Sequence, residues 1–134
     1  MKTDNPQKIN TTALAYLGDA VYEQFIREHL IQSGLEDVNR LHRAATGYVK
    51  ASSQCRIIKS IFPELTETEQ LLVKRARNKK PVTKAKNADP LDYRWATALE
   101  ALVGYLHLAE DQERLMWVID QAIDIVENRH NEEN

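Results

Sequence analysis

Two acidic residues stand alone inside the two most apolar stretches of the chain, and their types suit metal-assisted chemistry. Asp19 is the only charged residue between positions 9 and 22, and Glu100 is the only one between positions 95 and 109. Neither acid has a Lys or Arg within one helical turn, and a buried carboxylate is strongly unfavourable unless another group compensates it. A divalent cation shared by the two carboxylates would compensate both. Its remaining positions could hold a phosphate and an attacking water, so the pair is a candidate centre for phosphodiester hydrolysis.

The helical period predicts that both acids lie on buried faces, each beside a glycine. Gly18 precedes Asp19, and Gly104 lies one turn after Glu100. A glycine inside a helix is unfavourable by about 1 kcal/mol relative to alanine, so two of them indicate that two helix backbones approach closely. That approach would bring the carboxylates together, and one of them would stay protonated unless a cation joined them.

Mg²⁺ suits such a pair because it accepts one or two carboxylates and retains several waters. Periodicity leaves a second interpretation open, in which each acid caps a neighbouring helix or pairs with a distant arginine. Glu23, one turn after Asp19, either reaches the metal through water or begins the solvated end of its helix.

The elements that would position the acids are helices, and the predicted fold class is all-α. The chain has only four Gly and four Pro and little alternation of apolar and polar residues. Thr66 and Asp89 have the sequence context of helix N-caps. The predicted helices cover residues 11–32, 36–46, 48–61, 66–76, 89–109 and 112–129. Residues 1–134 are expected to form one domain, with a frayed tail at 130–134.

The composition excludes several other classes of protein. A single cysteine, Cys55, excludes an intramolecular disulfide and a cysteine-rich zinc site. The sequence shows no signal peptide and no run near the ~18 apolar residues of a membrane span. We therefore expect a cytoplasmic protein that has no membrane partner.

The two acids lie in motifs that resemble those of the ribonuclease III family. The segment Tyr16-Leu17-Gly18-Asp19-Ala20-Val21 resembles the signature helix of the family's catalytic domain, whose core is Leu-Gly-Asp-Ala-Val. The segment Ala98-Leu99-Glu100-Ala101-Leu102-Val103-Gly104 resembles its second acidic motif. We expect no double-stranded-RNA-binding domain after this match, and Arg75-Ala76-Arg77-Asn78 precedes the second motif. These features are similar to the short mini-ribonuclease III branch.

The resemblance implies an all-helical endonuclease domain that forms a homodimer through the signature helix. It implies Mg²⁺-dependent cleavage of double-stranded RNA, leaving 5′-phosphate and 3′-hydroxyl ends, with precursor 23S ribosomal RNA as the substrate. By motif position, Asp19 and Glu100 correspond to the catalytic, metal-binding acids. The longer members of the family carry two further acids, where this chain has Ala15 and Thr97. Water or RNA phosphate would then have to complete the metal shell.

The basic residues are concentrated in one segment, although the net charge is −2. Seven of the chain's 18 Lys and Arg residues fall between positions 74 and 86, with no acid among them. The segment is predicted to be largely a loop, and it lacks aromatic residues, which favours phosphate contacts with a duplex over stacking on single strands. The predicted RNA contacts are Lys74, Arg75, Arg77, Asn78, Lys79, Lys80, Lys84 and Lys86.

Two other functions remain open at the level of sequence. The first is an assembly factor that binds double-stranded RNA without cutting it, which the missing acids at Ala15 and Thr97 favour. The second is a helical protein-interaction domain whose basic segment binds an acidic partner.

Overall fold

The computed structural model describes residues 5–80 and 89–133, with side chains described through residue 128 in the last segment. Within these residues every regular element is helical, which confirms the all-α prediction. No helix in this part of the chain is long and apolar enough to cross a membrane. The six α-helices are α1 (Thr11–Gln32), α2 (Val38–Val49), α3 (Ala51–Ile61), α4 (Glu67–Asn78), α5 (Pro90–Leu108) and α6 (Gln112–Glu133), with short 3-10 helices at Pro6–Lys8 and Phe62–Glu64.

Helix α5 runs through the middle of the fold and packs against α1, α3 and α4. Its sequence explains this position, since it is apolar on nearly every side and must be covered by several neighbours. Leu99, Leu102 and Leu106 are each at most 1% exposed. Glu100 is the one charged residue in this central stretch of the helix.

The predicted helix starts are confirmed at α4 and α5. The Thr66 hydroxyl accepts a hydrogen bond from the Glu69 N–H at 3.2 Å, and the Glu69 carboxylate accepts one from the Thr66 N–H at 2.9 Å. This reciprocal pair is a capping box. Asp89 caps α5 with its side chain, and α1 begins as predicted, with Asn10 as its cap.

The largest departures from the predicted helix boundaries lie between α2 and α3 and at the end of α6. The sequence predicts a break at Gly47, but α2 continues through it, and the chain turns at Lys50, whose ψ of 151° is extended. The continuation buries Tyr48, and its carbonyl oxygen accepts a hydrogen bond from the Tyr22 hydroxyl at 2.8 Å. The last helix runs to Glu133, beyond its predicted end, and residue 134 lies outside the described residues.

The contact between α1 and α5 is a contact between backbones. A Cβ atom added at Gly18 would lie 1.7 Å from the carbonyl oxygen of Glu100. A Cβ added at Gly104 would lie 2.0 Å from the carbonyl oxygen of Leu14. Both distances are far inside van der Waals contact, so the predicted close approach is confirmed, and each glycine is required by it.

We expect Gly18→Ala to reduce the free energy of unfolding by about 3 kcal/mol or more, because the new methyl group meets rigid backbone and the two helices must separate. Urea unfolding followed by circular dichroism measures the change. The matched control is Gly47→Ala, where an added Cβ meets no atom within 4 Å. That helical position should gain up to ~1 kcal/mol. A Gly18→Ala variant as stable as the wild type would contradict the backbone contact.

Candidate active site

Asp19 and Glu100 meet at the crossing of α1 and α5. Gly18 packs on the backbone of Glu100, and this contact places the next residue, Asp19, within hydrogen-bonding reach of the Glu100 carboxyl group. The predicted pairing of the two acids is therefore a property of the fold. It joins a residue near the middle of α1 to one near the middle of α5.

The prediction that both acids are buried is wrong for Asp19, which is exposed, while Glu100 is partly buried. Gly18, rather than Asp19, faces α5, so the Asp19 side chain lies at the rim of the crossing. Its neighbours Tyr16 and Ala20 are exposed as well. The acid pair thus has one carboxyl group among core residues and one open to solvent.

The environment of Glu100 strongly favours its neutral form. Burial is the main cause, and the negative charge and hydrogen bond of Asp19 add to it, so that the pKa of Glu100 rises from 4.5 to about 8. The charge of Glu23 raises the pKa further, and the side chain of Gln54 opposes the rise. A cation between the carboxylates would reverse this balance by favouring the ionised form.

Gln54 is a residue of this site that the sequence analysis did not identify. It lies on α3, is only 2% exposed and stands close enough to Glu100 to affect its ionisation. Its Nε2 atom is buried without a hydrogen-bond partner among the described residues. The sequence feature that could have identified Gln54 is its position as a polar residue at helical spacing from Ile58 and Ile61, which are buried. An unpaired buried donor beside a carboxyl pair suits a site completed by an oxygen-rich ligand.

The two carboxylates fit Mg²⁺ better than a cation whose ligands must all come from protein side chains. Among residues 5–80 and 89–128, no group of three or more His, Cys, Asp or Glu side chains is arranged to hold a metal. Glu23 pairs with Arg27 at 3.2 Å. Ala15 is buried, and the Thr97 hydroxyl donates to a backbone carbonyl of its own helix at 2.9 Å. Mg²⁺ accepts one or two carboxylates and fills its other positions with water or phosphate oxygens.

The basic segment begins inside α4, in agreement with the helix predicted over residues 66–76. Lys74, Arg75, Arg77 and Asn78 lie in the last turns of α4, and Lys79 and Lys80 follow them, whereas Lys84 and Lys86 lie outside the described residues. The helix predicted over residues 66–76 therefore continues two residues further than predicted, to Asn78.

Tertiary packing also brings aromatic rings to this segment. The Arg77 guanidinium lies 4.9 Å from the centre of the Trp95 ring, and the Lys74 ammonium lies 5.8 Å from that of Phe62. Lys59 lies 5.5 Å from the centre of the Trp95 ring as well. These contacts hold some of the cations against the surface, an arrangement worth roughly 0.5–1 kcal/mol at exposed sites.

Comparisons with known proteins agree with this geometry. The family model for the ribonuclease III domain matches residues 12–111. The chain is 48% identical to the mini-ribonuclease 3 of Brevibacillus brevis over 93% of both chains. It is 48% identical to that of Symbiobacterium thermophilum over 95% of this chain and 98% of the relative. The fold matches the crystal structure of protein FN1578 from Fusobacterium nucleatum with a TM-score of 0.80 and 30% identity, covering 91% of this chain and 98% of that one.

The chain therefore belongs to the ribonuclease III family, in its mini-ribonuclease 3 branch. Its activity is that of an endoribonuclease, so the interpretation as a binding protein without catalytic activity is not retained.

We expect Glu100→Gln to stabilise the metal-free protein at alkaline pH. The unfolded chain ionises this residue near pH 4.5 and the folded protein near pH 8. The stability that this group contributes is therefore complete below pH 4.5 and is lost as the pH rises through 8. The variant should exceed the wild type by more than about 1.4 kcal/mol at alkaline pH, the equivalent of one pKa unit.

Urea unfolding with a chelator at mildly acidic and at alkaline pH measures this difference. The exposed acid Glu64 provides the matched control, since Glu64→Gln should leave the stability unchanged at both pH values. A Glu100→Gln variant whose stability relative to the wild type is the same at both pH values would refute the electrostatic assignment.

Proposed function

We propose that the protein cleaves double-stranded RNA with Mg²⁺ held by Asp19 and Glu100, in the maturation of precursor 23S ribosomal RNA. The observation that carries the proposal is the meeting of these two acids at the α1–α5 crossing. Membership of the family supports the reaction, and resemblance to its short branch supports the substrate. The proposed products carry 5′-phosphate and 3′-hydroxyl ends, and the proposed location is the cytoplasm.

The side chains of the site have different roles in this proposal. Bound Mg²⁺ would polarise a phosphate oxygen and lower the pKa of a water ligand. Asp19 is exposed and can be reached by a phosphate of the RNA backbone, whereas the partly buried Glu100 would hold the cation in its ionised form. Gln54 holds a buried amide next to Glu100 and favours its ionised form.

The proposed RNA contacts are the basic residues at and after the end of α4. Lys74, Arg75, Lys79 and Lys80 are exposed, and Arg77 is partly buried against Trp95. Because they contact phosphates rather than bases in this proposal, binding should fall steeply with salt.

A homodimer through the signature helix is also part of the proposal. Tyr16 lies on that helix next to the acid pair and is 85% exposed. A tyrosine of this exposure contributes little to the stability of a monomer, so an interface would explain its presence better. Aromatic residues are enriched at the centres of protein interfaces. A twofold axis near Tyr16 would place two acid pairs on one face, where each could cut one strand of a duplex.

We expect Asp19→Asn to lower cleavage of duplex RNA by more than about 100-fold, since even groups that only support a metal ligand contribute 10–100-fold. Binding of the duplex, measured with the same RNA by fluorescence anisotropy, should persist. Glu28→Gln, which alters an exposed acid further along the same helix, should leave cleavage unchanged. Full cleavage by Asp19→Asn would refute the assignment of this acid.

We expect Tyr16→Ala to weaken the dimer about tenfold or more, because aromatic side chains at interface centres often contribute over 1 kcal/mol. Sedimentation equilibrium at several protein concentrations measures the dissociation constant. Leu71→Ala, at a leucine of α4 that is 60% exposed, should leave it unchanged. A wild-type protein that is monomeric at all concentrations would refute the dimer without affecting the assignment of the acids.

A further inference from the structure

A second site opens at the start of α1, away from the acid pair. An open cavity of about 580 Å³ is lined there by the first residues of α1 and the last residues of α4. The α4 side brings positive charge to the cavity through Arg75 and Lys79. The lining residues are Asn10, Thr11, Arg75, Asn78 and Lys79.

Among the described residues, the two cations in this cavity have only neutral partners. The Arg75 guanidinium donates to the backbone carbonyl of Gln7 at 2.8 Å, and the Lys79 ammonium donates to the side-chain oxygen of Asn10 at 2.5 Å. Neither cation forms an ion pair within the part of the chain that the structure describes. These bonds hold both charges in place, and none of the described acids neutralises them.

The start of α1 adds a third positive element. This helix has 22 residues, and its first-turn N–H groups carry the positive end of the helix dipole. The Asn10 side chain accepts from the N–H of Thr12 at 2.8 Å. Helix starts of this kind bind phosphate groups when other donors converge on them.

Thr11 adds an uncharged donor without a partner among the described residues to this cavity. The residue is only 4% exposed and lines the cavity. Its hydroxyl makes no hydrogen bond with any of the described residues, and its oxygen is not fully buried, so it can be reached from the cavity. An anion in the cavity would give this hydroxyl an acceptor.

We propose that this cavity binds one backbone phosphate of the RNA strand, a few nucleotides from the phosphate at the acid pair. Thr11 precedes Asp19 by eight residues, which corresponds to about 12 Å along the helix axis. Helix α1 would then fix the distance between two bound phosphates of the substrate, one at its start and one near its middle. The inference rests on the proposed function, since it takes duplex RNA as the ligand.

The experiment measures binding of a short RNA duplex in which single phosphates are replaced, one at a time, by uncharged methylphosphonates. The Asp19→Asn background prevents cleavage during the measurement. Adding Thr11→Val should weaken binding of the unmodified duplex roughly threefold to tenfold, the range of one net hydrogen bond. With the methylphosphonate at the phosphate that occupies the cavity, Thr11→Val should have no further effect.

Two further measurements separate a binding role from a structural one. Because the Thr11 hydroxyl makes no hydrogen bond with the described residues, Thr11→Val should be about as stable as the wild type while it binds RNA more weakly. Lys79→Gln, at an exposed position, should lose the effect of the same methylphosphonate and reduce the salt dependence by about one phosphate contact. Thr12→Val is the matched control, since Thr12 is exposed and does not line the cavity, and it should bind like the Asp19→Asn background.

Unchanged binding by Thr11→Val, or a loss that is the same for every methylphosphonate position, would overturn the phosphate site. That result would leave the proposed function intact if the wild type still cuts the duplex. Failure of the wild type to bind or cut duplex RNA would instead overturn the proposed function itself.

Discussion

The direct contact of the α1 and α5 backbones is the constraint on which the rest of the structure depends. Gly18 and Gly104 permit it, because a methyl group at either position would overlap a carbonyl group of the other helix. The contact holds α5, the most apolar helix, in the middle of the fold, and it fixes the two acids beside each other. It also removes Glu100 partly from water, so the same packing that builds the site raises the pKa of this acid to about 8.

A hydrogen-bonded network supports the far half of α1 and keeps the crossing in place. The Tyr22 hydroxyl donates to the Tyr48 carbonyl at 2.8 Å, and the Tyr48 hydroxyl donates to Glu127 at 2.8 Å. His29, further along α1, lies 2.6 Å from the same Glu127 carboxylate. These bonds connect the second half of α1, the helix that carries Asp19, to α2 and α6. Rigid support of this kind is what a site made from two helices needs.

Acidic and basic residues occupy different parts of the surface, which the small net charge does not reveal. The acids of the site lie where the middle of α1 crosses α5, and the cations of α4 lie at the start of α1. Because the substrate in the proposed function is a polyanion, the cations attract its backbone, whereas the acids repel it unless a metal ion is bound between them. The arrangement thus makes productive binding depend on both parts of the surface.

The sequence by itself determined the helices, the two acids and the family, because these depend on local patterns: the spacing of apolar residues, the capping residues, and the glycines beside Asp19 and Glu100. It misplaced the break between α2 and α3, since burial of Tyr48 outweighed the local preference of Gly47. Only the tertiary structure decided which acid is exposed, because that depends on which side of α1 faces α5. It also decided the presence of Gln54 at the site and the meeting of Thr11 with Arg75 and Lys79. These residues are far apart in the chain, and no local pattern specifies which distant side chains will share a surface.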